Sequence, residues 1–500
     1  MAEESRSSTN NKECVLALDV GSSSVRAGLF NSEGRLLTPT LTQLVYSAEV
    51  TPGGGSEVDP TAMLELVCQS IDKVLAVAAA TPVRVVGAGM CQFVSNLLGL
   101  DAENAPTTPV YTWADNRCAP QAVRLAHTLD DEDVHRRTGC YLHSSYLPAR
   151  LLWLREVLPQ AYSRTRCWAS LGDWLAWTFV GRISQGISVA SWGGLLNRFT
   201  LDWDEELLRD LDIRGEVLPP LAGLTDVVGT VQGQYATRWP LLAGVPWFAA
   251  VADGVSSNIG SGCHAPGQVA INVGTSSAVR VFVEGTPAKV PPGLWCYRLD
   301  AETSLVGGAL SEGGNVLAWL HGLLAVEDWS IFERDAAQVE PDSTGLTFLP
   351  YLAGERSPGW NASAHGTLHG LALTARPVDI YRAAQEAIAC RLAAVYSALT
   401  AVVPIERSVV AGGGALLNTP GWTQMLADAL GEPVSASGEA EATLKGTAML
   451  ALSSLGLLKS FTDGPATQGQ LYTPDASRHD VYLRLIERQW KLYGELYDAH

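Results

Sequence analysis

The sequence predicts an α/β protein built as two similar domains, and three observations carry that expectation. The chain has 500 residues, more than one ordinary core accommodates and enough for two units of roughly 200–250 residues. Short apolar runs that read as strands alternate with longer segments of helical spacing. A stretch near the start is echoed near the middle: residues 19–30 read DVGSSSVRAGLF and residues 272–283 read NVGTSSAVRVFV. Each copy follows an apolar strand and sets a glycine and three small hydroxyl residues in a turn before a second strand. Two domains of one fold, each presenting such a hairpin to a shared cleft, account for this economically; chance similarity of two short hairpins is the alternative.

Along the chain, residues 15–20 and 25–30 read as two strands joined by the first hydroxyl turn. A turn at residues 31–34 leads to a third strand at Leu36-Leu37. Pro60, just after Asp59, opens a helix to about residue 80. Residues 83–90 form another strand, followed by a polar loop. In the second half, residues 268–271 lead into the repeated turn, a long amphipathic helix covers about 381–402, and residues 408–411 enter a glycine turn at 412–414. Further helices begin near Trp422 and at Lys445-Gly446. The expected division is a disordered tail over residues 1–12, a first domain over 13–260 and a second over 261–490.

Composition narrows the function. Hydrophobic residues make up 47% and charged residues 17%, the balance of a well-packed globular protein. The net charge of −18 counts against a general nucleic-acid binder, which needs a basic face. It says nothing against a nucleotide substrate, whose phosphates are held by local N–H groups and a metal ion. The nine cysteines are scattered and include no C-x-x-C pair, which argues against a zinc site or disulfide framework and fits a reducing compartment. The polar N-terminus is not a signal peptide, and no apolar run reaches the roughly 18 residues of a membrane span. A cytoplasmic protein with no membrane partner is expected.

The chain lacks a Walker-type G-x-x-x-x-G-K-[ST] loop, a strand-to-helix G-x-G-x-x-G, an H-E-x-x-H and a G-x-S-x-G. It has instead three glycine turns, each after a strand: Gly21-Ser22-Ser23-Ser24, Gly274-Thr275-Ser276 and Gly412-Gly413-Gly414. Glycine lets a backbone approach phosphate closely, and N–H groups and hydroxyls then donate to it. One such turn is only a turn; three, two of them related by a repeat, suggest a nucleotide cleft. Phosphoryl transfer also needs charge neutralisation and a base. Asp19, ending the first strand, could orient Mg²⁺ through water. Asp253, followed by glycine after an apolar run, suits a general base and a helix N-cap equally on local sequence.

Together these motifs resemble the FGGY carbohydrate kinases, which belong to the actin/Hsp70/hexokinase-like ATPase group, and the resemblance runs from about residue 13 to about 460. It implies two ribonuclease H-like α/β domains closing on ATP and a sugar. The segment from Asp19 through Gly21, Ser22 and Ser23 to Arg26 resembles the first phosphate motif, and Gly274-Thr275-Ser276 the second. Asp253-Gly254 resembles the motif whose aspartate takes the proton of the acceptor hydroxyl. Gly314, Gly414, Ala415 and Asn418 fall on positions that line the nucleotide pocket, and Glu441-Ala442-Thr443 with Gly446 resembles the late E-A-[ST]-x-x-G segment. ATP and Mg²⁺ are the implied cofactors, and a homodimer is common in the family.

Within the family, residues 112–117 (TWADNR), 137–140 with His143, and 349–358 (LPYLAGERSP) look most like gluconate kinases, with xylulose kinases next. Gluconate is the first expected substrate, and D-xylulose or another ketose the second. A sugar-sensing protein that kept the fold without turnover is the reading from another class. For a sugar acid, Arg117 is the expected carboxylate partner. Asp115 would accept from polyol hydroxyls and Trp113 would stack on the sugar. An ion pair of Arg117 with Asp115 and a core role for Trp113 are the alternatives. His143 reads as structural, and Glu355-Arg356 as an ion pair fixing its loop, with a place at the border of the cleft as the alternative. Two departures touch the sugar side. Val94-Ser95 stands where the family often has Met-His, leaving Ser95 to hydrogen-bond a polyol, and Arg150 replaces a lysine.

Overall fold

The computed structural model describes residues 12–401, 403, 408–464 and 468–497. The expected disordered tail lies outside the described residues except for Lys12, which opens the first strand. That strand, β1 (Lys12–Val20), is buried from Cys14 onward. It pairs antiparallel with β2 (Ser24–Asn31), Asp19 standing opposite Arg26. The third strand is not at Leu36-Leu37. Leu36 makes only an isolated bridge to Phe30; Pro39 then forces a 3-10 turn over Thr38–Thr40, and β3 (Thr42–Val45) follows.

Helix α1 (Pro60–Ala79) begins as expected, with Asp59 accepting from the Thr61 and Ala62 amides and proline in the first turn. It leads to β4 (Val83–Gln92), which runs parallel to β1. A mostly helical excursion follows, including α2 (Leu147–Val157) and α3 (Leu171–Val180). The chain returns through β5 (Val227–Gly229), β6 (Trp247–Phe248) and β7 (Val251–Ala252). The first sheet has the order β5-β6-β4-β1-β2-β3, with β7 also pairing on β4. Because β7 ends beside Gln92 at the tip of β4, the next helix, α4 (Asp253–Gly260), starts at the same end of the sheet as the first hydroxyl turn.

The second sheet repeats this plan. Strands β8 (Gln268–Val273) and β9 (Ser277–Glu284) form the antiparallel hairpin. Then come β10 (Trp295–Arg298), β11 (Thr303–Leu310), α5 (Gly314–Leu323) and the long α6 (Pro377–Thr400), which runs through the centre of the second core. Strand β12 (Ser408–Gly412) pairs parallel to β8 as β4 does to β1. After it follow α7 (Gly414–Leu417), α8 (Pro420–Leu430), β13 (Val434–Ser437), α9 (Ala442–Ser454), β14 (Gln468–Tyr472) and α10 (Ala476–Tyr497). The order is β10-β11-β9-β8-β12-β13-β14. In both sheets a hairpin is flanked by a parallel strand, the arrangement a duplication produces.

A cut at residue 260 does not partition the packing. Helix α9, far into the second half, lies on the first sheet: Leu444, Ala448, Ala451 and Leu452 share a buried cluster with Val15, Ala17 and Phe30. It crosses α4 with the two backbones in contact. A side-chain carbon on Gly260 would fall 1.7 Å from the Ala442 carbonyl oxygen, and one on Gly446 would fall 1.9 Å from the Ser256 oxygen. We expect Gly446→Ala to lower stability by about 1–3 kcal/mol through forced separation of the helices. Thermal denaturation checks this; an unchanged melting temperature would show that the helices part freely.

Candidate active site between two hydroxyl turns

The two turns face each other across a cavity of about 250 Å³, lined by residues 21–24 and 274–277, by Asp19 and Asp253, and by Arg26, Asn272, Arg280 and Thr443. Each turn closes with a glycine amide donating across it, Gly21 N to Ser24 O at 3.0 Å and Gly274 N to Ser276 O at 3.0 Å. The second hairpin is one residue tighter: Val273 pairs with Ser277, whereas Val20 pairs with Val25. Gly314, at the start of α5, donates to the Gly274 oxygen at 2.7 Å. Side-chain carbons on Gly314 and Ala415 would lie 3.3 Å apart, and Gly414 and Asn418 begin and cap the short α7. The four residues assigned to a nucleotide pocket are thus gathered next to the second turn.

Asp19 is 4% exposed, and burial pushes its carboxyl up to about 6, opposed by Arg26 and by the Cys91 thiol. Arg26 Nη1 lies 3.6 Å from Asp19, and Arg26 Nε lies 3.6 Å from Glu441 at the head of α9. Asp253 is the first residue of α4, whose N-cap is Ala252, so it is not the cap that local sequence left open. Its Oδ1 accepts from the Gly254 amide at 2.8 Å. Burial pushes its carboxyl up to about 7; the Arg280 guanidinium opposes this and the nearby Asp19 charge adds to it.

Beside this space lies a smaller cavity of about 90 Å³ with Ser95, Trp113, Trp192, Tyr297, Arg356 and Trp360 in its walls. Asp253, Trp113, Ser276 and Arg280 border both cavities, so the candidate base stands at their junction. Ser95 adopts φ +53°. Its hydroxyl donates to the Trp192 oxygen at 2.8 Å and its carbonyl accepts from Arg150 at 2.6 Å. Arg150, 1% exposed, therefore holds the backbone of a cavity wall and does not reach the cavity itself.

Asp115 and Arg117 need correcting. Neither lines a cavity at this site. Asp115 accepts from the Ser56 amide and from Arg117. Arg117 also pairs with Glu57 at 2.5 Å and lies 4.6 Å over the Trp153 ring. The alternative reading, an ion pair, describes them. Glu355 and Arg356, by contrast, do not pair with each other: Glu355 binds Arg391 and the Tyr493 hydroxyl, leaving Arg356 to face the small cavity. His143 stays structural, its Nδ1 accepting from the Ser145 amide at 3.1 Å. Sequence reasoning missed Arg280 and named Arg356 as half of an ion pair, with a place at the cleft border as its alternative. The available signal for Arg280 was a charge inside an otherwise apolar strand, AVRVFV.

Paired hydroxyl turns over an acidic floor, on a duplicated α/β scaffold, are the makings of a phosphotransferase. The chain belongs to the FGGY family of carbohydrate kinases, whose N-terminal domain profile matches residues 14–260 and whose C-terminal domain profile matches residues 269–455. It is therefore a phosphotransferase acting on sugars, with the two-domain fold of the actin and hexokinase group. It is 26% identical to the gluconokinase of Bacillus subtilis over 461 residues, covering 89% of this chain and 88% of that one. The structure superposes on the gluconate kinase of Lactobacillus acidophilus with a TM-score of 0.88 at 26% identity, covering 97% and 98% of the two chains. The ligand-bound xylulose kinase of the same organism also gives 0.88, at 27% identity and 97% and 99% coverage. Glycerol kinases match as well, one at 30% identity.

Because burial raises the Asp253 carboxyl from 3.8 to about 7, the folded protein keeps a proton that the unfolded chain has released. This group's favourable contribution is complete below about pH 4 and is lost as the pH rises to 7. Asp253→Asn should therefore melt at a higher temperature than the parent near pH 8, and the gain should shrink towards pH 4. A lower melting temperature near pH 8 would refute this account of the cleft.

Proposed function

We propose that the protein transfers the γ-phosphate of ATP to a hydroxyl of a sugar acid, gluconate first, with Asp253 as the general base. The observation that carries this reading is the place of Asp253: a carboxyl at about 7, at the junction between the space lined by the two hydroxyl turns and the small aromatic-walled cavity. An acceptor hydroxyl entering from the small cavity meets Asp253, which takes its proton as it attacks. The turns at 21–24 and 274–277 donate N–H and O–H groups to the phosphates. Gly314, Gly414, Ala415 and Asn418 serve the adenosine beside them. Arg26, tied to Asp19 and Glu441, keeps the first turn's wall in place.

Among the described residues no cluster of three or more His, Cys, Asp or Glu could hold a metal ion. A buried carboxylate beside the first hydroxyl turn, Asp19, fits Mg²⁺, which keeps most of its waters and arrives with the nucleotide. When bound, the ion offsets charge on the β- and γ-phosphates. The nine cysteines are free, and eight are buried, which supports a cytoplasmic, reducing setting. Among the described residues no helix is long and apolar enough to cross a membrane.

A ketose such as D-xylulose is the second reading, favoured by the equal superposition on a xylulose kinase. Coupled ADP release with Mg-ATP against gluconate, D-xylulose, D-ribulose, L-ribulose, sedoheptulose and glycerol decides between them. Asp253→Ala should lower kcat by about 10²–10⁴, and the parent's kcat/KM should rise with pH towards a plateau above about 7. ATP binding with no turnover on any compound would instead favour a sugar sensor.

A further inference from the structure

Two guanidinium groups in the small cavity have no assigned work. Arg280 rises from β9 and packs over the start of α4: a side-chain carbon on Gly254 would come 3.3 Å from its Nε. Arg356 comes from the loop after residue 349, lies 4.8 Å over the Trp113 ring and donates to the Leu310 oxygen. The Nε atoms of both are buried with no hydrogen-bond partner. Among the described residues neither side chain forms an ion pair, whereas other buried arginines either pair with an acid, as Arg391 does with Glu355 and Arg382 with Glu386, or are held by backbone carbonyls, as Arg150 and Arg198 are.

A buried donor without an acceptor is costly and calls for an explanation. Asp253 faces Arg280, and Glu312 faces Arg356. Burial raises both carboxyls, to about 7 and about 8. Near neutral pH the wall therefore carries more positive charge than negative, and the two guanidiniums also repel each other. A neutral polyol offers hydroxyls to such a wall but no countercharge. A carboxylate offers two oxygens to planar forks of donors, the geometry in which arginine binds best. The surrounding faces of Trp113, Trp192, Tyr297 and Trp360 suit the C–H side of a carbon chain.

We propose that Arg280 and Arg356 form a carboxylate clamp that makes the acceptor site selective for polyhydroxy acids over neutral polyols and ketoses of similar size. The inference rests on the kinase reading for the fate of the bound acid, but not for its binding. Arg280 also borders the larger cavity, so the rival source of the anion is the donor's terminal phosphate; of these two cavities Arg356 borders the small one and not the larger.

Calorimetric titration of gluconate, of D-glucitol and of Mg-ATP separates these cases, using the parent protein, Arg356→Gln and Arg280→Gln. The parent should bind gluconate about tenfold or more tighter than D-glucitol. Each variant should lose that margin and keep its D-glucitol affinity, and Arg356→Gln should keep its Mg-ATP affinity. The clamp is overturned if the parent binds acid and polyol alike, if the variants weaken both equally, or if Arg356→Gln loses Mg-ATP affinity with gluconate unaffected. Should a variant fail to fold, the parent's preference alone decides. Acid-selective binding without phosphorylation would retain the clamp and sink the kinase reading. Ketose turnover without acid preference would do the reverse.

Discussion

The close crossing of α4 and α9 is the constraint on which the cleft depends. Gly260 and Gly446 let the backbones touch, and both helices begin at cleft residues: α4 at Asp253, and α9 just after Glu441, with Thr443 in its first turn. Holding the helices together therefore sets the candidate base, Thr443 and the Arg26–Glu441 contact in one frame. The crossing also explains why α9, encoded late, buries its apolar face on the first sheet. The late segment thus joins the first half through packed contacts and not merely through a linker.

The site is assembled at the expense of stability. Asp19, Asp253 and Glu312 are all pushed towards protonation by burial, and Ser95 is held in the left-handed region, unusual for a side chain other than glycine. Such features persist only where the surroundings over-determine them. Here the surroundings are specific: Arg150 grips the Ser95 carbonyl, and the Trp192 carbonyl accepts the Ser95 hydroxyl. Ser95 and Arg150 thus form one arrangement. The serine supplies the bent wall and the arginine braces it.

Local chemistry made the hairpins legible. A glycine followed by hydroxyl residues after an apolar strand prescribes a turn wherever it occurs, and its repetition at 272–283 disclosed the second sheet. Asp19 and Asp253 were legible for the same reason, each closing or following a strand. The substrate side was not. Whether Arg117 points into a cavity or back onto Asp115 depends on Glu57 and Trp153, which lie far from it in sequence. Arg356 lost its apparent partner because Arg391 and Tyr493 claim Glu355. The α4–α9 crossing was invisible likewise: Gly446 stood out as part of a late motif, but nothing in the sequence places Ser256 against it.

The two similar hairpins differ at several positions, and one of these bears on the cleft: Asp19 stands next to last in β1, and Asn272 occupies the equivalent place in β8, both facing the same space. An aspartate and an asparagine have nearly the same shape, so the scaffold keeps its symmetry while the field across it does not. One lip bears an ionisable oxygen pair; the other bears a neutral amide whose nitrogen is already given to the Ser257 hydroxyl. The groove is thus electrically lopsided, with a carboxyl on one side and an amide on the other.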